Sequence, residues 1–274
     1  MSSVVPAPRI DFGVAATDYA RHRQGPPREL FDRLERGFGI GRPRQDLVDV
    51  GTGTGVAARA LAARGARVVG LDPSPALLAE AARLAAADDL DITWRHARAE
   101  ETGLADASAD AIVVSQAWHW FERGRAAAEA RRLLRPNGAI ALVQLDWLPL
   151  PGSVVELTLA LVDRHRTRAS LPLRLDEERF AHHGVYPYWA DDLAAAGFTA
   201  IEHMGFDVAQ RYAHEAWRGR MRSAALVHTM PPASQVAFDD ELARALAMGF
   251  ADPADVPHRV FAVIARAPAT RRSS

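Results

Sequence analysis

The residues best placed to do chemistry are two carboxylates and a run of glycines. Asp46–Val50 (DLVDV) is a short apolar run with Asp49 inside it, and it leads straight into Gly51, Thr52, Gly53, Thr54 and Gly55. Glycines let the backbone turn sharply and let a ligand approach where a Cβ would clash. A helix beginning right after such a loop adds N–H groups that have no partner inside the helix. At the carboxyl end of a first strand, this is where doubly wound sheets hold nucleotides. Asp72 ends a second apolar run (VVGLD), where a carboxylate over the same crevice can accept both ribose hydroxyls. Ser115 and Gln116 close a later run and face that crevice, with ordinary strand-end capping as their plainer role. His119 follows them between Trp118 and Trp120. A neutral imidazole there could take a proton or orient an acceptor oxygen, or simply pack between its two neighbours.

The elements that must position these groups follow from hydrophobic periodicity. Apolar, strand-like runs fall at Asp46–Val50, Arg67–Leu71, Ile92–Ala97, Ala109–Ser115 and Ala139–Leu145. Helical patterns lie between them at Val56–Arg64, Pro75–Ala86 and Arg123–Leu134. Pro75 suits a first helical turn, where its missing N–H is not needed, and Pro136, Asn137 and Gly138 mark a turn into the next strand. Strands alternating with helices imply parallel βαβ units in a doubly wound sheet. Beyond residue 148 the character changes. Pro149–Trp189 collects Pro, Arg, His and aromatics around a helical patch at Val154–His165. A helix at Trp189–Ala196 and a strand at Thr199–Ala209 resume the α/β pattern. Helices at about His214–Val227 and Pro232–Met248 and a strand at His258–Ala265 complete it.

Composition removes several kinds of chemistry. There are no cysteines among the 274 residues, so disulfides, thiolate metal sites and Cys nucleophiles are excluded. Every one of the 33 basic residues is arginine, so neither a Walker A lysine nor a Schiff-base lysine exists. The net charge of −1 gives no global attraction to nucleic acid or to an anionic membrane. No stretch approaches the length of a membrane span, and the N-terminus lacks the basic start and apolar run of a secretion signal. The expectation is a cytoplasmic, bacterial protein, monomer or homodimer, with no metal.

The string D-x-G-x-G-x-G from Asp49 to Gly55 resembles motif I of the class I S-adenosylmethionine-dependent methyltransferases. Val56 stands where the dinucleotide fingerprint would place a third glycine. DITWRHARAEETGLADASADAIVVSQAWHWF is similar to the family's segment from third to fourth strand, and LLRPNGAIAL to the turn before its fifth. The AWHWF string and the N-terminal DYARHRQGPP look like small-molecule methyltransferases related to the trans-aconitate methyltransferases. The resemblance covers about residues 10–146 well and the rest loosely. It implies a Rossmann-like seven-stranded sheet, mostly parallel with an antiparallel last strand, helices on both faces, and a cap of inserted helices.

Carried over residue by residue, the resemblance assigns cofactor contacts to Tyr19 and Arg23 (closing over the methionine part), Asp49, Gly51, Thr52, Gly53, Gly55, Asp72, Pro73, Ser74, Arg98, Ala99, Glu100, Ser115 and Gln116. Arg98 replaces the usual acid, which puts a side-chain bond to the adenine amino group in doubt. Substrate contacts are expected from Trp118, Trp120, His183, Tyr186 and Arg220, with His119 as candidate base. The implied organisation is a single domain over 1–274. N-terminal helices at 1–40 close over the cofactor, and 41–148 form the binding core. Residues 149–189 and 211–250 form a substrate cap, with the remaining sheet elements at 190–210 and 251–268. The expected reaction is methyl transfer to an oxygen, carboxylate or hydroxyl, of a small molecule. Two alternatives stand beside it: an NAD(P)-dependent oxidoreductase, and a protein that binds S-adenosylmethionine without transferring its methyl group.

Overall fold

The computed structural model describes residues 24–166, 186 and 188–269. One seven-stranded sheet organises them, in the order β3-β2-β1-β4-β5-β7-β6. The strands are β1 (Asp46–Val50), β2 (Arg67–Asp72), β3 (Ile92–His96), β4 (Ala109–Ser115), β5 (Leu134–Trp147), β6 (Thr199–Tyr212) and β7 (Ala254–Arg266). β1 through β5 pair in parallel, while β7 runs antiparallel to both β5 and β6. The order reverses between β1 and β4, so the crevice at the carboxyl ends of these two strands is the switch point where such sheets hold ligands.

Among the described residues the helices are α1 (Arg28–Phe38), α2 (Val56–Ala62), α3 (Pro75–Ala87), α4 (Arg123–Leu133), α5 (Val154–His165), α6 (Tyr188–Ala195), α7 (His214–Arg222), α8 (Ala225–His228) and α9 (Pro232–Gly249). Alternation along the strands divides the core. Val48, Val50, Ile112, Val114, Ile140 and Leu142 face α4 and α6, whereas Leu47, Ala111, Val113, Ala141 and Val143 face α1 and α2. Period-two patterning on both sides is what a sheet covered on both faces requires. A third cluster is helical: Val155, Val162, Trp217, Met221, Phe238 and Leu242 pack α5, α7 and α9 together, with Trp147 of β5 among them. Local chemistry fixes the helix starts. Ser74 Oγ accepts from Leu77 N–H, with Pro75 just inside α3. Ser153 Oγ accepts from Glu156 N–H (3.1 Å) while the Glu156 carboxylate accepts from Gly152 N–H (2.7 Å), close to a reciprocal capping box.

Several boundaries differ from those the periodicity predicts, four of them substantially. β5 begins at Leu134 rather than Ala139, because the chain leaves α4 already extended. Asn137 (φ 64°) and a register shift opposite Ala109/Ala111 absorb the turn inside the strand. β6 ends later and β7 begins earlier, out to Tyr212↔Ala254, since each lengthening supplies the other with ladder bonds. The helical run His214–Val227 breaks at Ser223 into α7 and α8. No helix among the described residues is long and apolar enough to cross a membrane.

Candidate cofactor and acceptor site

The glycine loop is held by two buried carboxylates on opposite sides. Asp49, 1% exposed, lies behind it. Its Oδ2 accepts from the Thr52 hydroxyl at 2.6 Å and from the Ala58 N–H of α2 at 3.0 Å. Asp49 thus ties the loop to the first turn of the helix. Burial pushes its carboxyl up to about 6, partly offset by the two donors, and the nearby Asp72 charge pushes the same way as burial. Asp72 lies in front. One of its oxygens accepts from Gly53 N–H and the other from Ser74 N–H, both at 2.9 Å, so the carboxylate bridges the loop and the turn into α3. Burial raises its pKa, opposed by those two N–H groups. A carboxylate oxygen carries two lone pairs, so each retains acceptor capacity for a further donor.

The glycines divide by what surrounds them. All three have positive φ: Gly51 70°, Gly53 55° and Gly55 75°. A Cβ on Gly51 would lie 2.6 Å from Ala117 Cβ, and one on Gly55 would lie 2.6 Å from the Trp94 ring. These two are glycine because protein fills the space. A Cβ on Gly53 would meet nothing within 4 Å. That open space adjoins the N–H that Asp72 holds. The loop is already ordered by its own bonds, with Gly51 and Thr52 N–H both on Leu71 O and Gly55 N–H on Thr52 O (2.9 Å each). What faces the open space is apt for a nucleoside: a carboxylate matched to vicinal hydroxyls and, among the described residues, no cation placed for a triphosphate.

The remaining expected contacts are spread around this crevice. Pro73 is exposed, and its carbonyl accepts from His96 Nε2 at 3.0 Å. Ala99 is buried. Arg98 is largely exposed, and its Nε donates to Glu100 at 3.2 Å. Glu100 also accepts from Glu122 N–H at the start of α4 (2.8 Å). Beside it, Glu129 holds the loop after β3 by accepting from Thr102 N–H and hydroxyl at 2.9 and 2.6 Å. The Arg132 guanidinium, then those Thr102 donors, bring Glu129 down to about 2. Ser115 and Gln116 sit half-buried at the end of β4, with Gln116 at φ 57° and its N–H on Val143 O (2.8 Å).

Trp118 is a core side chain, 1% exposed, with Nε1 donating to Asp192 of α6 at 3.0 Å, so it offers no face to a ligand. His119 is half-buried, with its ring 4.9 Å from that of the exposed Trp120. Tyr186 is buried, stacked on Trp189 at 4.6 Å, and its hydroxyl donates to Asp146 at 2.5 Å. Arg220 is 9% exposed, its guanidinium 5.0 Å over the Trp147 ring. Arg218 and Arg222 pair with Glu215 and Asp239. The structure therefore gathers the loop, Asp72 and the end of β4 at one crevice, and sets Tyr186 and Arg220 further along β5. Tyr19, Arg23 and His183 lie outside the described residues.

Periodicity missed four buried polar side chains near the carboxyl edge: Gln144, Asp146, Gln210 and His258. Gln210 Nε2 donates to Gly25 O (2.9 Å) and Gln24 Nε2 to Arg211 O (2.6 Å), which fastens the chain before α1 to the end of β6. Gly25 there abuts Val56, whose Cγ1 would be 2.0 Å from an added Cβ. The one sequence signal for the other three is a polar residue breaking an apolar run near a strand end. Among the described residues no group of three His, Asp or Glu could hold a metal ion.

Residues 48–142 match a family model described as a methyltransferase domain. An uncharacterised methyltransferase of Mycobacterium tuberculosis is 35% identical over 152 residues, which are 53% of this chain and 59% of that protein. A candidate type II methyltransferase from Anaeromyxobacter dehalogenans has a solved structure with a TM-score of 0.63 and 27% identity. That match covers 91% of this chain and 99% of the other. These matches support the resemblance to the class I S-adenosylmethionine-dependent methyltransferases, and the chain spans about three fifths of the length of the mycobacterial relative. This chain's fold is also that of phosphoethanolamine N-methyltransferase 2 from Haemonchus contortus, solved with S-adenosyl-L-methionine (TM-score 0.54, 16% identity, 93% of this chain and 57% of that one). The methyltransferase family match spans the strands and loop that carry Asp49, the glycines, Asp72 and Ser115. The sheet beyond residue 142 and the helices packed on Trp147 lie outside it.

Proposed function

We propose that this chain transfers a methyl group from S-adenosylmethionine to an oxygen of a small molecule. The observation that carries the reading is the pairing of Gly53 with Asp72: open space above a glycine at φ 55°, beside a carboxylate that already orders the loop and keeps lone pairs spare. Asp72 would take the ribose hydroxyls, and the Gly51–Gly55 backbone would take the methionine part. Ala99 and the backbone of Arg98 and Glu100 would border the adenine. Arg23 is suited to the cofactor carboxylate, since a guanidinium matches it in bidentate fashion. When bound, the cofactor supplies an already activated methyl group on a positively charged sulfur. The protein's task is then to align the nucleophile and exclude water.

Ser115, Gln116 and His119, at and just after the end of β4, would face the acceptor and that methyl group. His119 would orient a hydroxyl or take its proton, while a carboxylate acceptor would need no base. The helices packed on Trp147, with the segment between residues 149 and 189, would cover the acceptor and admit it by opening. Such an enzyme would work in the cytoplasm without nucleic acid or membrane, as monomer or homodimer. Calorimetry with S-adenosylhomocysteine and with NAD tests the cofactor. Micromolar binding of the first and none of the second is expected, and the reverse would replace methyl transfer with hydride transfer. A radiolabelled methyl-transfer assay against small carboxylic and hydroxylic acceptors tests the reaction. Tight cofactor binding without transfer to any acceptor would leave a binding protein.

A further inference from the structure

At the amino edge of the parallel strands, opposite the cofactor crevice, a cleft of about 570 Å³ opens. It lies between the end of α1, the loop that follows it, the turn at residues 135–138 and the end of β7. Ligand pockets run from roughly 300 to 1,000 Å³, so a small molecule fits this volume. Three arginines line it, Arg42, Arg135 and Arg266, with one carboxylate, Asp110. Asp110 is already engaged: Oδ1 accepts from Arg135 Nη1 at 2.7 Å and Oδ2 from Asp46 N–H at 2.9 Å. Arg135 also pairs with Asp46 at 2.9 Å, and Asp46 with Arg67 at 2.7 Å. These four charges cancel among themselves.

The other two arginines are not cancelled. Arg266 Nη2 donates to Phe38 O at 2.6 Å and Nη1 to Asn137 O at 3.2 Å, both neutral carbonyls. A guanidinium has five N–H donors, so Arg266 keeps several to spare. Arg42 is exposed, and its guanidinium makes no hydrogen bond to a described residue. It lies against Gly39, where an added Cβ would be 3.1 Å from Cζ. Gly39 ends α1 at φ 70°, so the glycine that closes the helix also leaves room for this side chain. Gln45 holds the loop in that shape, with Oε1 accepting from Gly41 and Arg42 N–H (2.9 Å each) and Nε2 donating to Gly39 O (2.7 Å). The two guanidiniums therefore come to one peptide unit, Phe38–Gly39, from β7 and from the loop. Among the described residues no carboxylate pairs with either, whereas Arg83 and Arg259 find Glu80 and Asp207 on the surface. The carbonyl end of α1 attracts a cation. Arg266 already caps it, which leaves the charge of Arg42 facing the cleft.

We infer that this cleft is a second binding site, for a small molecule that carries a phosphate group. A phosphomonoester bears about −1.5 to −2 charge at pH 7 and three acceptor oxygens. That matches two uncancelled guanidiniums, whose planar forks suit phosphate. A single carboxylate offers about half the charge. The site stands apart from the crevice at the carboxyl ends of β1 and β4, and it does not depend on the methyltransferase reading.

The probes are glycerol 3-phosphate and glycerate, close in size and different in the charged group. Each is titrated by calorimetry into the whole chain, with and without saturating S-adenosylhomocysteine. Glycerol 3-phosphate is expected to bind saturably, at least about tenfold more tightly than glycerate, and equally with and without S-adenosylhomocysteine. Arg42→Gln takes away no described hydrogen bond of the side chain, so the variant should fold. It should weaken glycerol 3-phosphate by about tenfold or more, the worth of a charge-assisted hydrogen bond. Arg266→Gln should act in the same direction in protein whose circular dichroism matches wild type. Arg244→Gln, which removes an exposed arginine of α9, should leave the affinity unchanged. No saturable binding, equal binding of glycerate, displacement by S-adenosylhomocysteine, or full affinity in Arg42→Gln overturns the proposal. An equal loss in Arg244→Gln does so too, because the effect would then follow net charge alone. Failure of S-adenosylhomocysteine itself to bind strikes the methyltransferase reading and leaves this site to be judged on glycerol 3-phosphate.

Discussion

Asp72→Asn isolates the carboxylate's part in cofactor binding. In the structure each oxygen of Asp72 already accepts one backbone N–H, from Gly53 and from Ser74, both at 2.9 Å. An amide keeps one oxygen and turns an NH2 toward the other N–H. It therefore loses one loop contact and one ribose acceptor, and it loses the charge that strengthens the rest. A hydrogen bond to a charged group is worth about 1.5–3 kcal/mol, so the ribose contact alone corresponds to roughly a 10- to 150-fold rise in dissociation constant. Asp72→Ala removes both ribose acceptors and should do at least as much. Titration calorimetry with S-adenosylhomocysteine, on variants whose circular dichroism matches wild type, measures the effect. An analogue lacking the ribose 3′-hydroxyl makes the test specific. If that hydroxyl bonds Asp72, the analogue's penalty on wild type should largely vanish on the variant, as coupled contacts require. Unchanged affinity in folded Asp72→Asn, or fully additive penalties, would refute the ribose assignment.

Gly53→Val should abolish S-adenosylhomocysteine binding while costing about 1–2 kcal/mol of stability from the left-handed backbone, because its Cβ meets no protein atom within 4 Å. Calorimetry and a urea melt separate the two effects, and normal affinity would mean that the loop faces something else. The Asp49 carboxyl rises from 3.8 to about 6 on folding, so the folded state holds the proton more tightly and stability falls as pH climbs from about 4 to about 6. Asp49→Asn should remove that slope and be more stable than wild type by about 1–2 kcal/mol at pH 8. The difference between the two proteins cancels the opposite slope of His258, whose pKa is lowered to about 4. A stability difference between wild type and Asp49→Asn that is the same at pH 5 and pH 8 would contradict the burial argument. Glu129 is brought from 4.5 down to about 2, so its stabilisation is present above about pH 4.5 and is lost as pH falls toward 2. Glu129→Gln should lower stability by about 1–3 kcal/mol at pH 7 and by almost nothing at pH 2, read from denaturant melts.

The parallel half of the sheet was legible because its strands are short, apolar and separated by helices of the right period. Burial on both faces makes such strands nearly continuous in hydrophobicity, as in Leu47, Val48 and Val50. The antiparallel β6–β7 pair was legible in kind and not in length. β6 is an edge strand, and its alternation is mostly between exposed and half-buried positions, so little apolar signal marks where it ends. Its extent is set by pairing with β7 out to Tyr212↔Ala254, a long-range contact that no local window contains. The break between α7 and α8 is similar, since it depends on how Trp217, Met221 and Val227 fit against α5 and α9.

The cofactor crevice was legible for a different reason. Asp49, Gly51, Gly53, Gly55 and Asp72 lie within a stretch of 24 residues, and their roles follow from strand–loop–strand geometry that the sequence carries locally. Even so, one distinction needed three dimensions. Gly51 and Gly55 are glycine because Ala117 and Trp94 crowd them, and Gly53 because nothing does. The far ends of β5, β6 and β7 are built otherwise. His258 gains its fixed tautomer from Val256 and its aromatic surroundings from Trp147 and Tyr212, which come from three segments of the chain. Gln210 reaches Gly25 across 185 residues to secure the segment that leads into α1 beside Val56. In the sequence these are single polar letters in apolar runs, indistinguishable from strand-end residues. What separates them is that burial makes an unbonded nitrogen or amide costly, so each such group needs either a protein partner or a ligand.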